Sequence, residues 1–548
     1  MGIGRRYLPI FAAISLLTPL AVGINANSEK TLINSNQEVE NFIPGRLLVK
    51  FSRVSPVEAF NLLNGVLPGA EILKEFYSVP GLYLVKLPDG TSVREALRVI
   101  SEISQVVYAE PDYVVKATKT PNDPYYQKQW GLEKVGAPLA WNETTGNEEL
   151  VVAVIDTGID YTHEDLKENV WSNPNEIPDN GKDDDGNGYI DDIHGINTVN
   201  TESLNSNSGC GSSGKDAGNP MDDNGHGTHV AGIIGAVSNN STGVAGVNWS
   251  VKLLACKFMD SEGRGSVSAA IECLDYIKKL RDEEGIEVIV SNNSWGGSDY
   301  SSALEDAIKA QEESGILFVA AAGNDGEDND STPQYPASYD VDNIISVAAT
   351  DRSDSLADFS NYGRQTVDLG APGVGILSTY LSNDGNYKYM SGTSMATPFV
   401  TGTVALLKAK EPRLNWYEVR NLILTGGDEA TGLRGKTLTG KRLSAYGALN
   451  SESKLFEVLY PLNGKTYSKD QPVELKTISV KGKNPEGEVS VEIVPQGDVV
   501  ILKDDGSFPD QVPEDGIFTG SYKFKSSGKK TLIFRNGSEE RIVEITVE

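Results

Sequence analysis

Three residues able to do nucleophilic acyl chemistry stand far apart in the chain, each where a regular element should begin or end. Ser394 lies in Ser391-Gly392-Thr393-Ser394-Met395-Ala396-Thr397-Pro398, and the run that follows to Leu407 is apolar, rich in small residues and helical in pattern. A serine at a helix N-terminus meets unpaired N–H groups and the positive end of the helix dipole, which favour both an attacking alkoxide and a tetrahedral oxyanion. A Gly-Thr-Ser run before a helix is, alone, an ordinary N-cap, so the chemistry needs partners. Asp156 closes Val151-Val152-Ala153-Val154-Ile155-Asp156. The five β-prone residues read as a buried parallel strand that delivers the carboxylate to its C-terminal end, where open α/β sheets place their sites. His226 sits between glycines in Asn224-Gly225-His226-Gly227-Thr228-His229, at the start of a small-residue helix. The chain has only four histidines, and two fall in this motif.

The order Asp156, His226, Ser394, together with the wording Asp156-Thr157-Gly158, His226-Gly227-Thr228-His229 and Gly392-Thr393-Ser394-Met395-Ala396-Thr397-Pro398, resembles the subtilisin-like serine proteases, or subtilases. The resemblance implies a nucleophile at Ser394, a general base at His226 and an orienting carboxylate at Asp156, and leaves His229 a structural role. Ala320-Ala321-Ala322-Gly323-Asn324-Asp325-Gly326 resembles the family's oxyanion motif, which puts the Asn324 amide on the oxyanion; without the triad it would read as a turn. Gly263-Arg264-Gly265 and Ser294-Trp295-Gly296 resemble the two backbone segments between which subtilases hold an extended peptide. Glycine permits close backbone approach, and β-strand addition gives affinity with little dependence on side chains. The family places the floor of the pocket for the residue before the cut at Gln334-Tyr335-Pro336-Ala337. Broadly apolar-selective subtilisins carry glycine where this chain has Gln334, so a shallower, more polar pocket is expected. Gln334 also lacks the charge with which proprotein convertases select basic side chains.

These residues need a scaffold of strands with coplanar ends. Strand-like runs at 151–155, 252–258, 287–291, 316–321 and 344–348 alternate with helical ones, which predicts α/β architecture: a parallel sheet with helices on both faces. The protease domain is expected over residues 119–452. Before it, residues 27–118 show a βαββαβ-like rhythm, with strands at 44–51, 82–87 and 105–110 and helices at 56–63 and 93–103. Its position and its ending, Tyr108-Ala109-Glu110-Pro111-Asp112-Tyr113, resemble a subtilase inhibitory propeptide. That implies a small α+β module that templates folding and then blocks the cleft. Residues 1–26 carry a basic start, a short apolar run broken by Pro9 and Pro19, and small residues near Ala26, the pattern of a secretory signal peptide. After Leu449 short alternating runs separated by turn residues predict an all-β, immunoglobulin-like sandwich over 453–548, with no catalytic constellation and no legible ligand.

A formal net charge of −29 over 548 residues disfavours nucleic acid as a partner, and no run approaches membrane-spanning length. Carboxylates could instead hold calcium. Asp183-Asp184-Asp185-Gly186-Asn187-Gly188-Tyr189-Ile190-Asp191-Asp192 follows the EF-hand spacing, with oxygens offered by Asp183, Asp185, Asn187 and Asp191 and by the Tyr189 carbonyl. Position twelve is His194 instead of a bidentate glutamate, so Asp192 is the expected substitute. A second calcium site is implied by resemblance: Asp123, Asp165 and Asn240, with carbonyls from Ser238, Thr242 and Val244. The polar run 200–219 reads as an insertion. Cys256 and Cys273 read as small core residues in preference to a disulfide or a nucleophile, and Cys210 as a loop residue; the sequence settles no pairing. The sequence thus points to a secreted, calcium-stabilised serine endopeptidase acting on proteins and peptides and inhibited by its own propeptide. The alternatives are a processing protease of narrow specificity or a surface scaffold built on a dead protease fold.

Overall fold

In the computed structural model, residues 42–52, 54–114, 119–199 and 217–548 are described. The signal-peptide reading of residues 1–26, most of the polar insertion and Cys210 lie outside them. Two compact units divide the chain between Lys116 and Ala117.

In the first unit, β1 (Phe42–Phe51), α1 (Pro56–Val66), β2 (Glu71–Glu75), β3 (Leu82–Lys86), α2 (Val93–Ile100) and β4 (Val106–Tyr113) form an antiparallel sheet of order β2-β3-β1-β4. Both helices begin at serines, Ser55 and Ser92, whose hydroxyls accept the Glu58 and Glu95 N–H groups. Alternate residues Leu47, Val49, Phe51, Tyr83 and Val85 turn inward on Ala59, Leu63, Ala96 and Ile100. Strand β2 completes the βαββαβ order, though its residues could not be located in advance: they are mostly exposed and carry no apolar alternation.

The second unit opens with two short helices, α3 (Trp130–Lys134) and α4 (Ala137–Ala140). Then β5 (Gly146–Asp156), β6 (Gly195–Asn197), α5 (His226–Gly235), β7 (Ser250–Lys257), α6 (Val267–Asp282), β8 (Val288–Asn293), α7 (Ser302–Glu313), β9 (Leu317–Ala321) and β10 (Ile344–Thr350) build the alternating α/β body. It continues through β11 (Leu369–Pro372), the hairpin β12 (Ile376–Thr379) and β13 (Tyr387–Met390), α8 (Thr393–Lys410), α9 (Trp416–Gly426), β14 (Asp428–Glu429), β15 (Lys441–Arg442) and α10 (Ala445–Leu449). One sheet runs in the order β14-β15-β11-β10-β9-β8-β5-β7-β6, parallel except for the β14–β15 edge. The period of two in β5 separates its two faces. Val152 and Val154 enter one core with α5 and α8, while Val151, Ala153 and Ile155 enter the other with α6 and α7. Burial on both faces explains why this strand reads as a continuous apolar run.

One expectation is corrected. Cys256 and Cys273 are fully buried core residues, but they also form a disulfide, because α6 folds straight back over β7 and brings their Cα atoms to 5.9 Å.

Strands β16 (Lys454–Tyr460), β17 (Thr466–Tyr467), β18 (Pro472–Lys481), β19 (Asn484–Pro485), β20 (Val489–Val494), β21 (Asp498–Ile501), β22 (Ile517–Lys523), β23 (Gly528–Asn536) and β24 (Glu539–Val547) complete the chain. They form two sheets, β16-β18-β19 with β22 on β18, and β17-β24-β23-β20-β21. Phe456, Leu475, Val491, Phe518, Leu532, Phe534 and Ile545 fill the space between them. No described helix is long and apolar enough to cross a membrane.

Candidate active site and metal-binding loops

Strands β9, β8 and β5 are neighbours in the sheet, so the residues that follow their C-terminal ends converge: Asn324 after β9, Ser294 after β8 and Asp156 at the end of β5. Asp156 is fully buried. Its Oδ1 accepts the Thr157 N–H at 2.7 Å and the His226 Nδ1–H at 2.8 Å. Because a carboxylate only accepts, the bond fixes the proton on Nδ1 and leaves His226 Nε2 as the basic nitrogen. Asp156 Oδ2 is buried with no hydrogen-bond partner. Burial pulls the His226 pKa down, but the Asp156 charge, the hydrogen bond to it and the Asp222 charge more than offset this and hold it above the ordinary 6.5.

His226 is the first residue of α5, and that helix start is held by a residue the motif reading passed over. Asp222, nearly buried, accepts the Asn224, Gly225 and Thr228 N–H groups and the Thr157 and Thr228 hydroxyls. Thr157 Oγ1 in turn accepts the Gly227 N–H at 2.9 Å. A Cβ on Gly227 would stand 2.1 Å from the Gly158 carbonyl, so only glycine lets α5 begin this close to the end of β5. His229 is buried with Nε2 near the Ile376 and Lys388 carbonyls, at 3.1 and 3.0 Å, and burial pushes its pKa down to about 3.

Ser394 stands in the first turn of α8, which is buried from Thr393 to Leu407. Its hydroxyl donates to the Ser294 carbonyl at 3.0 Å, and the Ser294 hydroxyl donates to the Ser394 carbonyl at 2.9 Å. The second bond exists because Pro398, four residues on, has no N–H to offer that carbonyl. Among the described residues no hydrogen bond joins His226 to Ser394. Catalytic hydrogen bonds commonly tighten only once substrate is present. Asn324 is exposed, but its orientation is fixed: Oδ1 accepts the Thr393 N–H at 2.8 Å and the Thr393 hydroxyl at 3.0 Å. A backbone N–H can only donate, so the amide nitrogen is the group left free beside Ser394. Buried Asn361 supports this loop by accepting the Asp325 and Glu327 N–H groups and donating to Asn329, which donates to the Ala322 carbonyl.

Around this centre, Trp295 packs edge-on against Phe258 at 4.9 Å, linking the Ser294–Gly296 stretch to the end of β7. Gly263, Arg264 and Gly265 form an exposed turn in which Arg264 pairs with Asp260 and Glu262. Gly297 and Tyr335 exchange backbone hydrogen bonds of 2.8 Å, so the Gln334 segment runs beside Ser294–Gly296. The Gln334 amide donates to Asp325 Oδ2 at 3.0 Å. Gln334 thus carries a carboxylate with it, which its own side chain does not announce.

In the acidic loop, Asp183 accepts the Gly186, Asn187 and Gly188 N–H groups, and Asn187 Nδ2 bridges Asp185 and Asp192 at 3.0 Å each. Buried Asp192 also accepts the Tyr276 hydroxyl at 2.6 Å, and the Tyr189 hydroxyl donates to Glu272. Glu176, Asp183 and Asp185 bring carboxylate oxygens within 4.8 Å of one another. Glu176 lies outside the motif and only its position near the loop in sequence hinted at it. Its Oε1 accepts the Asp184 and Asp185 N–H groups, while its Oε2 is buried without a partner. The two Asp191 oxygens accept the Asn180 and Gly181 N–H groups. His194 Nδ1 bonds the Trp171 carbonyl.

In the second set, Asp165 accepts the Asn240 amide and the Val244 N–H at 2.8 Å each, and Asp123 accepts the Asn239 and Asn240 N–H groups. The Asn240 Oδ1 accepts the Thr242 N–H, and the Ser238 hydroxyl donates to the Ala236 carbonyl. Asp165 and Asp123 are buried and, among the described residues, meet no lysine or arginine. Burial, with the Asp123 and Glu164 charges added, pushes the Asp165 pKa up to about 7. Both carboxylate sets therefore suit a hard, oxygen-ligated cation.

A family model described as the subtilase family matches residues 147–447, and one described as the fervidolysin N-terminal prodomain matches residues 28–112. The chain is 36% identical over 429 residues to the thermophilic serine proteinase of Bacillus sp. (strain AK1), covering 78% of this chain and 92% of that one. It is 35% identical over 331 residues to thermitase of Thermoactinomyces vulgaris, covering 60% and 99%. It is also 36% identical over 324 residues to subtilisin-like protease 1 of Plasmodium berghei (strain Anka), covering 55% of this chain and 50%, or about half, of that relative.

Proposed function

The chain belongs to the subtilase family of serine endopeptidases, and from that premise we propose that Ser394, His226, Asp156 and Asn324 carry its peptide-bond hydrolysis. The observation that supports this most is the convergence at adjacent strand ends of the Asp156–His226 hydrogen bond, 2.8 Å, with Ser394 and an Asn324 amide whose oxygen is already engaged.

A rotation of the Ser394 side chain releases its hydroxyl from the Ser294 carbonyl to His226 Nε2. His226 takes the proton as Ser394 Oγ attacks the scissile carbonyl, and Asp156 stabilises the imidazolium through Nδ1–H. The Asn324 Nδ2–H and the Ser394 N–H receive the oxyanion. His226 then gives its proton to the leaving amine, and water deacylates the enzyme by the same path. The peptide lies extended between Gly263–Gly265 and Ser294–Gly296, with the side chain before the cut directed to Gln334.

Calcium, when bound, supplies positive charge that compensates clustered carboxylates. Glu176, Asp183, Asp185, Asn187 and Asp192 would hold one ion, and Asp123, Asp165, Asn240 and carbonyls of Ser238, Thr242 and Val244 another. The unpartnered Glu176 Oε2 supports the first assignment. The prodomain makes the protein a zymogen that inhibits and then cuts itself, and the residue pattern of 1–26 supports secretion. The polar Gln334–Asp325 pair favours narrower selection than a glycine-floored pocket would. A covalent serine-directed fluorophosphonate probe tests the assignment. It should label the mature protein and not Ser394→Ala; equal labelling of both removes Ser394 as nucleophile.

A further inference from the structure

The segment from Gln334 to Asp342 forms a wall of the pocket assigned above and then runs toward the C-terminal β domain. At its first end it is tied to the catalytic body by the Tyr335–Gly297 backbone pair and by the Tyr339 hydroxyl, which donates to the Ser301 carbonyl at 2.9 Å. At its far end the ties come from the β domain. Lys476 of β18, almost fully buried, places Nζ 2.8 Å from Asp340 and 2.6 Å from Asp342. Arg420 of α9 donates to the Asp342 carbonyl at 3.0 Å, and is itself held by the Asp515 carbonyl at 2.8 Å, again from the β domain.

What lies behind this segment decides how much those ties matter. Beside these contacts a cleft of about 220 Å³ lies between the segment and the β domain, lined by Ala337, Tyr339, Asp342, Arg420, Lys476 and Ile517 among others. A wall backed by close-packed side chains is held by packing, and loss of one ion pair leaves it in place. Here Ala337, Tyr339 and Val341 pack into the core against the sheet, while the Asp340 and Asp342 side of the segment faces the open space and is held by its polar anchors. Removing the Lys476 ammonium takes away the larger of the two cationic influences on Asp342, leaving Arg420 alone, and favours a shift of the carboxylate toward water.

We propose that the C-terminal β domain is part of the substrate-selection apparatus: Lys476 is a positioning residue that fixes Asp340 and Asp342 and through them the Gln334–Ala337 wall. It touches no substrate and acts on which side chain is accepted before the cut. This rests on the endopeptidase reading and on the Gln334 segment being that pocket wall.

The test uses the full self-processed chain and two peptide amides identical except for leucine or lysine before the scissile bond. The ratio of their kcat/KM values is independent of how much enzyme is folded, so a purely stabilising role for Lys476 cannot move it. In Lys476→Met the ratio should change by about fivefold or more, the scale of coupling within one ion-pair network. Lys476→Arg should restore it to within about twofold. Should Lys476→Met not fold, Asp340→Asn serves, since the Asp340 side chain is 61% exposed and tolerates the change. An unchanged ratio in whichever variant folds, whatever happens to Tm, overturns the proposal and leaves Lys476 as an interface stabiliser. A wild-type protein that cleaves neither peptide and takes no serine-directed probe would sink the endopeptidase reading along with it.

Discussion

Replacing Thr393 by valine should separate the oxyanion donor from its support. The Asn324 Oδ1 is held by two hydrogen bonds, from the Thr393 N–H at 2.8 Å and from the Thr393 hydroxyl at 3.0 Å. Valine keeps the shape and the backbone donor and removes the second, together with the longer contacts of the hydroxyl to the Gly323 N–H and carbonyl, 3.3 Å each. One neutral hydrogen bond is worth about 1 kcal/mol net, or roughly fivefold in turnover if the loss is felt wholly in the transition state. Asn324→Ala removes the amide itself, and loss of the corresponding donor in subtilisin costs about 10²–10³ in turnover. The double variant isolates the part that runs through the amide: it should be no slower than Asn324→Ala alone, and any residual loss measures the Gly323 contacts. The assay is kcat and KM on one peptide amide, with active enzyme counted by stoichiometric labelling of Ser394. The losses should fall on kcat with KM nearly unchanged. If Thr393→Val costs the same fivefold without Asn324, or acts on KM instead, Thr393 does not work through the amide.

Three further outcomes are expected. The histidine must be neutral to accept the Ser394 proton and its pKa lies above 6.5, so kcat/KM should fall as pH drops through a value above 6.5 and hold above it; Asp156→Asn should move that inflection downward, and an unmoved inflection would assign it to another group. Chelation should lower Tm, since an ion that binds only the folded chain contributes about 2.7 kcal/mol at a hundredfold excess over Kd; Glu176→Gln should reduce the number of bound calcium ions, and an unchanged count would remove Glu176 from the site. In Ser394→Ala the precursor should stay full length, with the wild-type cut falling within residues 116–123; unaided maturation of that variant would rule out self-processing.

What the sequence determined by itself was everything encoded locally. The apolar run before Asp156, the glycines around His226 and the small-residue helix after Ser394 each carry a local constraint, and three such motifs in order identify the family. The alternating runs of the last hundred or so residues likewise encode a two-sheet sandwich, because a strand's two faces are written in its own period. Tertiary structure alone decided which distant groups share one environment. Asp222, Thr393 and Asn361 support the site through contacts made only once β5, β9 and α8 have packed, and each looks in sequence like a turn or cap residue. Glu176 joins Asp183 and Asp185 because the chain folds back on its loop and buries one carboxylate oxygen there. Cys256 meets Cys273 because α6 returns over β7. Lys476 is a charged residue in a strand of β-sandwich pattern until the two domains close on it. Burial then strengthens its pairing with Asp342, since the same charges attract far more strongly where water cannot screen them.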